Sequence, residues 1–308
     1  MKERVRDSQI AVTRGMAQAR GMNTDTTSLA DLRHWVGRSE QRDDILTAAP
    51  LAGLSATLDR IDDPAPIAGS ALPPLAHWLY FVPQAPAREI GADGHPKRGG
   101  FLPPVPLPRR MWAGGRLTFH HALRVGDAVT RRSTITRVDA KEGRSGALVF
   151  VTVRHRILDA RGEAITEEHD IVYRDNPQPG AVPPVPALAP SDAQFSREIV
   201  PDPVLLFRYS ALTFNGHRIH YDRTYVTEVE GYPGLIVHGP LIATLLVDLL
   251  RREMPSATLK QFDFKAASPL FDIHPFSVCG RHEADGRIAL WARNHLGHLA
   301  MSAHAVVE

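Results

Sequence analysis

A proline-rich segment over residues 176–192 most constrains the fold of this chain, because the same order of predicted elements occurs on both sides of it. Each side has a short apolar segment with helical spacing, followed by β-rich segments that turn residues separate. Helices followed by an antiparallel meander are typical of α+β folds, whereas parallel sheets need alternating strands and helices. The 308 residues also exceed what one core usually holds. We therefore predict two similar halves, residues 28–175 and 193–308, joined by a linker.

Three helices and nine strands are predicted. Ser28 caps a helix from Leu29 to Val36, two prolines begin a helix from Leu75 to Val82, and an apolar helix runs from Pro240 to Glu253. The predicted strands are Arg116–His120, Ala128–Val138, Ala147–Leu158, Glu167–Tyr173, Ser196–Val200, Thr258–Phe264, Phe276–His282, Arg287–Asn294 and His298–Val307. Glycine and proline crowd residues 91–115, which predicts a long ordered loop or a lid there.

The overall composition excludes several classes of protein. The formal net charge of +2 gives no case for nucleic-acid binding. Cys279 is the only cysteine, so an internal disulfide is impossible and a reducing, cytoplasmic compartment is expected. The most apolar run, Leu241–Leu250, is too short to span a bilayer, and Thr244 and Asp248 interrupt it. We expect neither a membrane nor a nucleic acid as a partner.

The first residues of the chain are expected to lie outside both halves. Residues 1–27 are predicted to be a disordered extension. The segment is rich in arginine, as transit peptides are, but Glu3 and Asp7 are unusual in a transit peptide.

Residues that could carry chemistry concentrate in the second half. The segment Phe207–Asp222 contains Tyr209, Asn215, His217 and His220, and its last residue is Asp222. Shortly afterwards His238 and Gly239 precede the apolar helix. A histidine can move a proton onto or off water, and a backbone N–H at a helix start can hold a carbonyl oxygen as it gains charge. This pairing suits a hydration reaction.

These histidines have two alternative interpretations, a metal site and a purely structural role. His217, His220 and His238 could together bind zinc. However, no carboxylate has a sequence spacing typical of a residue that supports such histidine ligands, so we expect no metal. His220 could also be a core or capping residue without chemistry. The polar residues around it favour a catalytic role.

These residues resemble the signature of (R)-specific enoyl-CoA hydratases and MaoC-like dehydratases, which have hot-dog folds. That signature reads Asp-x-Asn-Pro-aliphatic-His, then x-Asp, and about twenty residues later aliphatic-x-His-Gly. The resemblance implies a double hot-dog fold in which His220 is catalytic, Asp222 is structural and the Gly239 N–H holds the thioester carbonyl. The chain departs from the signature at two positions, since Asn215 replaces the usual Asp and His217 the usual Asn. His220 is then the one clear acid/base, unless His217 or Asp222 shares the work.

Over most of its length the chain resembles a narrower group, the mesaconyl-C4-CoA (3-methylfumaryl-CoA) hydratases and the itaconyl-CoA hydratases. The shared motifs are Phe214–Asp222, Gly99–Gly115 and Glu168–Arg174. This resemblance implies reversible hydration of a short branched dicarboxylic enoyl-CoA thioester without a cofactor. An acyl-CoA is then the small-molecule partner, and either a monomer or a homodimer is expected.

A dicarboxylic thioester has a free carboxylate that needs a cation. The substrate-binding candidates are Arg218, Arg223, Arg109, Arg110 and Tyr209, and His238 is a secondary candidate beside the catalytic residues. The first half has no equivalent of the histidine motif. Its aromatic residues Trp78, Tyr80 and Phe81 either shape an acyl pocket or pack in the core.

Three alternative functions remain open from the sequence. One is a (3R)-hydroxyacyl-thioester dehydratase that acts on straight chains and needs a long apolar tunnel. A second is a hot-dog thioesterase, which generally needs a carboxylate near the helix start, whereas Asp248 lies about two turns into the helix. A third is a non-catalytic acyl-CoA-binding protein, which the missing Asp would allow.

Overall fold

The computed structural model describes residues 31–143, 146–176 and 185–308. The predicted extension over residues 1–27 and residues 177–184 of the predicted linker lie outside the described residues. Within the described residues, no helix has the length and apolar character needed to cross a bilayer.

The first half contributes five strands to an antiparallel sheet. They are β1 (Ser39–Ile45), β2 (Arg109–Phe119), β3 (Ala128–Gly143), β4 (Gly146–Asp159) and β5 (Gly162–Arg174). Their spatial order is β1-β3-β4-β5-β2. The three long strands β3, β4 and β5 pair as a meander because short turns connect them.

The second half repeats this arrangement. Its strands are β6 (Phe195–Ile199), β7 (Leu259–Ala266), β8 (Phe276–His282), β9 (Ile288–Asn294) and β10 (Leu299–Val307). Their order, β6-β8-β9-β10-β7, matches that of the first half strand for strand, and β2 pairs with β7 to join the halves into one sheet of ten strands. The shared order confirms the predicted α+β fold built from two similar halves.

The described residues form three α-helices. Helix α1 (Ala48–Thr57) follows β1, and α2 (Pro203–Leu212) follows β6 at the equivalent place in the second half, where α1 packs against α2. Helix α3 (Gly239–Glu253) is the central helix of the second half and packs against its strands, and every residue from Leu241 to Leu250 is buried. The sheet of the second half curves around α3, which is the hot-dog arrangement that the resemblance implied.

The described part of the first half has no helix equivalent to α3, and this is where the helix predictions fail. The predicted helix from Leu75 to Val82 is a single 3₁₀ turn, Ala76–Leu79. Leu75 and Phe81, which flank the turn, both adopt left-handed backbone angles (φ 69° and 54°), and these angles stop helix propagation on either side. In place of the predicted helix from Leu29 to Val36, the structure has a 3₁₀ turn at Asp31–Trp35.

The predicted strands are confirmed, although β2, β3 and β5 are longer than predicted, and three elements were missed. The predicted loop over residues 91–115 ends earlier, because β2 begins at Arg109. Strand β1 and helices α1 and α2 were not predicted. Helix α2 carried a readable signal, since Asp202 caps it by accepting from the Leu205 N–H and Pro203 occupies its first turn.

Candidate active site

Two segments of the second half lie side by side and hold the predicted site residues. The chain leaves α2, turns at Phe214 with a left-handed φ of 49°, and forms a 3₁₀ turn at Arg218–His220. The second segment runs into α3, and its Ile236 N–H donates to the Ile219 carbonyl at 3.0 Å. This contact brings His220 of the first segment to the N-terminal end of α3.

The His220 ring is buried, and its hydrogen bond fixes where its proton sits. Nδ1 lies 2.7 Å from the Ile236 carbonyl oxygen. Since a carbonyl can only accept, Nδ1 carries the proton and Nε2 keeps a free lone pair. Burial lowers the pKa of His220 to about 4, although the bond to Ile236 opposes the shift. At neutral pH His220 is therefore an uncharged imidazole that can accept a proton.

The His238 ring packs against one face of the His220 ring. The two rings stack with centroids 3.7 Å apart and an angle of 18° between their planes. The Nε2 atom of His238 lies 2.8 Å from the Ser210 hydroxyl, and the Tyr209 ring packs edge-on at 5.1 Å. Burial holds the pKa of His238 well below its ordinary value. His238 therefore acts as a neutral platform that fixes the plane of the His220 ring.

Gly239 directly follows His238 and is the first residue of α3. The first N–H groups of a helix have no acceptor within the helix, and the helix dipole places positive potential there. A Cβ built on Gly239 would meet no described atom within 4 Å, so there is open space beside this residue. The helix start can therefore receive a negatively charged oxygen.

A loop of the first half, within the predicted loop or lid over residues 91–115, lies against the histidine motif. The Arg218 N–H donates to the Asp93 carbonyl at 2.9 Å. Gly94 adopts φ +88°, and a Cβ there would stand 1.8 Å from the Gly216 carbonyl oxygen. Position 94 therefore requires glycine for both its backbone angle and this close approach. The two halves share one site.

This loop assembles a cluster of three titratable side chains. One oxygen of Asp93 and one ring nitrogen each of His95 and His217 lie within 4.8 Å of one another. The zinc triad considered from the sequence, His217, His220 and His238, is not among the close groups of ligand atoms in the described residues, and one ring nitrogen each of His220 and His238 is hydrogen-bonded to Ile236 and Ser210. The cluster that forms instead draws two of its three members from the first half.

Asn215 and Asp222 both make local hydrogen bonds. The Asn215 side-chain oxygen accepts from the His217 N–H at 3.0 Å, which leaves its amide NH₂ available. Asp222 accepts from the Tyr225 N–H at 3.0 Å and from Arg218 at 2.8 Å. The bond from Tyr225, which has the larger effect, and the bond from Arg218 together hold the pKa of Asp222 below its ordinary value. Asp222 thus ties the turn together, as the resemblance implied.

Three of the four candidate arginines are engaged elsewhere. Arg218 pairs with Asp222, and Arg223 pairs with the buried Asp272. Arg109 donates to the Tyr232 hydroxyl at 2.8 Å and to Asn176 at 3.0 Å.

Arg110 differs from these three. No carboxylate of the described residues lies within 4.0 Å of its guanidinium. Its charge is one of the smaller causes that lower the pKa of His95 and of His217, after burial and other neighbours, so Arg110 lies near this cluster. Arg110 also makes a side-chain hydrogen bond with Tyr173. Of the four candidates, Arg110 is the one placed to meet an anion in the site.

Several other predicted residues lie in the core. Tyr209 is buried, and its hydroxyl is 3.4 Å from that of Thr244. In the first half Tyr80 and Phe81 are buried as well, and the Trp78 indole N–H donates to the buried Glu167 at 3.1 Å. Core packing accounts for the positions of these aromatic residues.

The comparisons with known proteins agree with this architecture. A two-half sheet with one central helix and a histidine at that helix's N-terminus defines the class of double hot-dog hydro-lyases. The profile of the hydroxyacyl-thioester dehydratase type 2 family matches residues 75–272. The chain belongs to this family.

Two named relatives and one solved structure are similar to this chain over most of its length. A protein of Chloroflexus aurantiacus named mesaconyl-C(4)-CoA hydratase is 50% identical over 279 residues, which cover 90% of this chain and 98% of the relative. A mitochondrial hydroxyacyl-thioester dehydratase type 2 of Schizosaccharomyces pombe is 32% identical over 77% of this chain and 88% of its own length. A solved structure from Mycobacterium tuberculosis, described as a double hot-dog fold, superposes with a TM-score of 0.56 at 14% identity, covering 91% of this chain and 98% of that one. The predicted fold and enzyme class are confirmed.

Proposed function

We propose that this protein catalyses the reversible addition of water to a short branched dicarboxylic enoyl-CoA thioester of the mesaconyl-C4-CoA type. The relative that is 50% identical carries that activity in its name. The observation that carries the proposal is the neutral His220 ring, which stacks on His238, the residue directly before α3. Itaconyl-CoA and mesaconyl-CoA are related substrates of the same chemical type.

The proposed mechanism uses two groups. The Gly239 N–H, at the positive end of α3, polarises the thioester carbonyl and stabilises the enolate that forms. His220 accepts a proton from water as the water oxygen attacks C3, and a proton is then delivered to C2. The NH₂ of Asn215 orients the water, because its side-chain oxygen is already used by His217.

Arg110 is proposed to bind the distal carboxylate of the acyl group. It lies in β2 opposite Tyr173 of β5, at the side of the site that the first half supplies. A guanidinium can hold a carboxylate with two hydrogen bonds, and a partner of this kind lets an enzyme select a diacid over a monoacid.

Replacing Arg110 by Met is expected to change substrate preference. The variant should lose about 1.5–3 kcal/mol of binding to the diacid thioester, which corresponds to about a 10- to 100-fold lower kcat/KM. Hydration of crotonyl-CoA, which has no distal carboxylate, should change little. Arg223→Met is the matched control, because Arg223 is held by Asp272. An unchanged ratio of mesaconyl to crotonyl hydration in Arg110→Met would contradict the assignment.

A small panel of CoA esters tests the proposed function directly. Absorbance of the enoyl-thioester band, followed together with a thiol reagent, should show hydration of the diacid esters and no release of free thiol. Thiol release would favour a thioesterase, and preference for long straight chains would favour a fatty-acid-type (3R)-hydroxyacyl-thioester dehydratase. No reaction with any ester would favour an acyl-CoA-binding protein.

The proposal also covers the cofactor requirement, the oligomeric state and the location of the protein. The reaction as written needs no cofactor, because both proton transfers use side chains of the protein. A chain with two hot-dog halves is equivalent to a dimer of single ones, so it can act as a monomer or as a homodimer. The single cysteine supports a cytoplasmic location.

A further inference from the structure

A band of polar side chains crosses the buried face of the first-half sheet. His155 of β4 lies opposite Ser133 of β3 and opposite Glu167 of β5. His169 lies on the same face as Glu167, because side chains two positions apart in a strand share a face. The same face is apolar on both sides of the band, with Val129, Ile157 and Ile165 on one side and Ile135, Val153 and Ile171 on the other. A polar side chain in such surroundings costs free energy unless it has a partner.

The second half shows what covers the equivalent face there. Helix α3 packs on β8, β9 and β10. These strands correspond to β3, β4 and β5 by their positions in the sheet, and the described part of the first half has no counterpart of α3. The polar band therefore lies where the covering helix is missing.

Three members of the band have partners within the protein. Glu167 accepts from the His77 ring Nε2 at 3.1 Å and from the Trp78 indole N–H at 3.1 Å. Burial raises the pKa of Glu167, but the bond from His77 and the attraction of the nearby histidines lower it to about 2. Glu167 is therefore ionised and satisfied. The His155 ring Nδ1 lies 2.8 Å from the Ser133 hydroxyl.

His169 is the member of the band without such a partner. Neither of its ring nitrogens has a hydrogen-bond partner among the residues that the structure describes, and the ring is half-buried, so it borders open space. Burial is the largest of the causes that lower the pKa of His169 to about 4. At neutral pH the uncharged ring therefore offers one N–H donor and one lone pair to a ligand.

Aromatic side chains hold the His169 ring in place. The Trp112 ring packs on it with centroids 4.0 Å apart and an angle of 37° between the planes. Trp112 in turn contacts Trp78 and Phe264 edge-on, at centroid distances of 5.0 Å and 5.6 Å. Phe264 belongs to β7, which pairs with β2. His169 is therefore fixed close to the boundary between the two halves.

Arg110 lies close to His169. It is two positions before Trp112 in β2, so the two side chains leave the strand on the same face. Its charge also lowers the pKa of His169, after the larger effects of burial and of Glu167, which oppose each other. The same charge acts more weakly on His217 of the histidine motif. Arg110 is thus near both His169 and the motif.

We propose that His169 determines substrate specificity by donating a hydrogen bond to the distal carboxylate that Arg110 binds. The inference rests on the proposed function and adds a second residue to the carboxylate site. A carboxylate has enough lone pairs to accept from a guanidinium and an imidazole together. Two donors already surround Glu167 and offset its charge beside a second carboxylate.

His169→Phe tests this assignment. Phenylalanine keeps an aromatic ring against Trp112 but removes both ring nitrogens. The variant should lower kcat/KM for the mesaconyl thioester about 10- to 100-fold, mainly through a higher KM, because the lost bond is made equally in the ground state and the transition state. Hydration of crotonyl-CoA, which has no distal carboxylate, should stay within about twofold of wild type. Steady-state kinetics with both thioesters measures the ratio.

Further variants separate this role from a structural one. His169→Gln keeps an N–H donor and should lose less than about fivefold for the mesaconyl thioester. His121→Phe is the matched control, because His121 is also half-buried but its ring is paired with Asp159 at 3.0 Å. It should leave the ratio of the two substrates unchanged. Melting temperatures show whether each variant folds, and His169→Leu provides the same test if His169→Phe does not fold. An equal loss for both thioesters in a folded variant would overturn the proposal.

Combining His169→Phe with Arg110→Met tests whether the two side chains bind one group. If they share a carboxylate, the double variant should lose less mesaconyl preference than the product of the two single losses. Losses that simply multiply would show that the two residues act on different groups, which would contradict the proposal.

Failure of this inference can be told apart from failure of the proposed function. A wild-type protein that hydrates only thioesters without a distal carboxylate would overturn the proposed function, and this inference with it. A wild-type preference for the mesaconyl thioester that is unchanged in a folded His169→Phe variant would overturn the inference alone.

Discussion

His220→Asn is expected to lower kcat/KM for hydration by about 10²- to 10⁴-fold, which is the usual contribution of a positioned acid/base group. The asparagine amide can still donate to the Ile236 carbonyl, so the turn should keep its shape. Asparagine has no equivalent of the His220 Nε2 atom, so the variant cannot accept a proton from water there. The stacking partner His238 and the helix start at Gly239 remain, so substrate binding should be largely retained. Steady-state kinetics with the preferred thioester measures the effect.

A second stacked histidine pair provides the control for this variant. His274 and His295 have ring centroids 3.8 Å apart, and both are exposed. His295→Asn should leave kcat/KM unchanged within about twofold. Near wild-type hydration by a folded His220→Asn variant would remove His220 from the mechanism.

The His220 ring also predicts how activity and stability depend on pH. Because burial lowers the pKa of His220 to about 4, its base form persists in mildly acidic solution and is lost as the pH falls through about 4. Between the ordinary value of 6.5 and about 4, the unfolded chain binds a proton at this residue that the folded chain does not. Stability therefore decreases as pH falls across that window. Unfolding should be followed in parallel, so that loss of the base is not confused with loss of the fold.

Asp248→Asn is expected to destabilise the fold by about 3–5 kcal/mol, the usual cost of removing one member of a buried ion pair. Asp248 is 1% exposed inside α3, and its oxygens accept from Arg60 at 3.0 Å, Arg197 at 2.9 Å and Arg252 at 2.8 Å. Asparagine has the same size but no charge, so three guanidinium groups would lose their common counter-ion. Urea unfolding measures the change in the free energy of unfolding.

Asp62→Ala is the matched control, since Asp62 pairs with the same Arg60 at 3.1 Å but is 61% exposed. Its loss should leave the free energy of unfolding almost unchanged, because solvent screens exposed ion pairs. A cost below about 1 kcal/mol for Asp248→Asn would show that the arginines find other partners. The location of Asp248 also bears on the thioesterase alternative, because a carboxylate bound by three arginines is poorly suited to act as a base.

The sequence was sufficient to predict nine of the ten strands and the two-half arrangement. Alternating apolar residues and turn residues are local signals, and β3 to β5 and β7 to β10 were found from them. The histidine segment and the helix beginning at Gly239 were also found, because a family signature is a local pattern. The fold and the enzyme class followed from that resemblance.

The helical part of the first half could not be predicted in the same way. Leu75–Val82 is as apolar as a core helix, yet the left-handed backbone at Leu75 and Phe81 leaves room for only one turn. Apolar character marks burial without fixing the conformation, since tertiary packing decides between a helix and a turn. Arg218, Arg223, Arg109 and Arg110 likewise looked equivalent until their partners were known.

What the sequence determined by itself is the local order of the chain: which segments extend, which turn, and where one imidazole and one helix start come together. Tertiary structure alone decided which distant residues complete the site. Asp93 and His95 lie more than a hundred positions before His217, and they reach it because Gly94 and Gly216 allow two backbones to touch. Contacts between residues so far apart depend on how the two halves pack, and no local pattern encodes that packing.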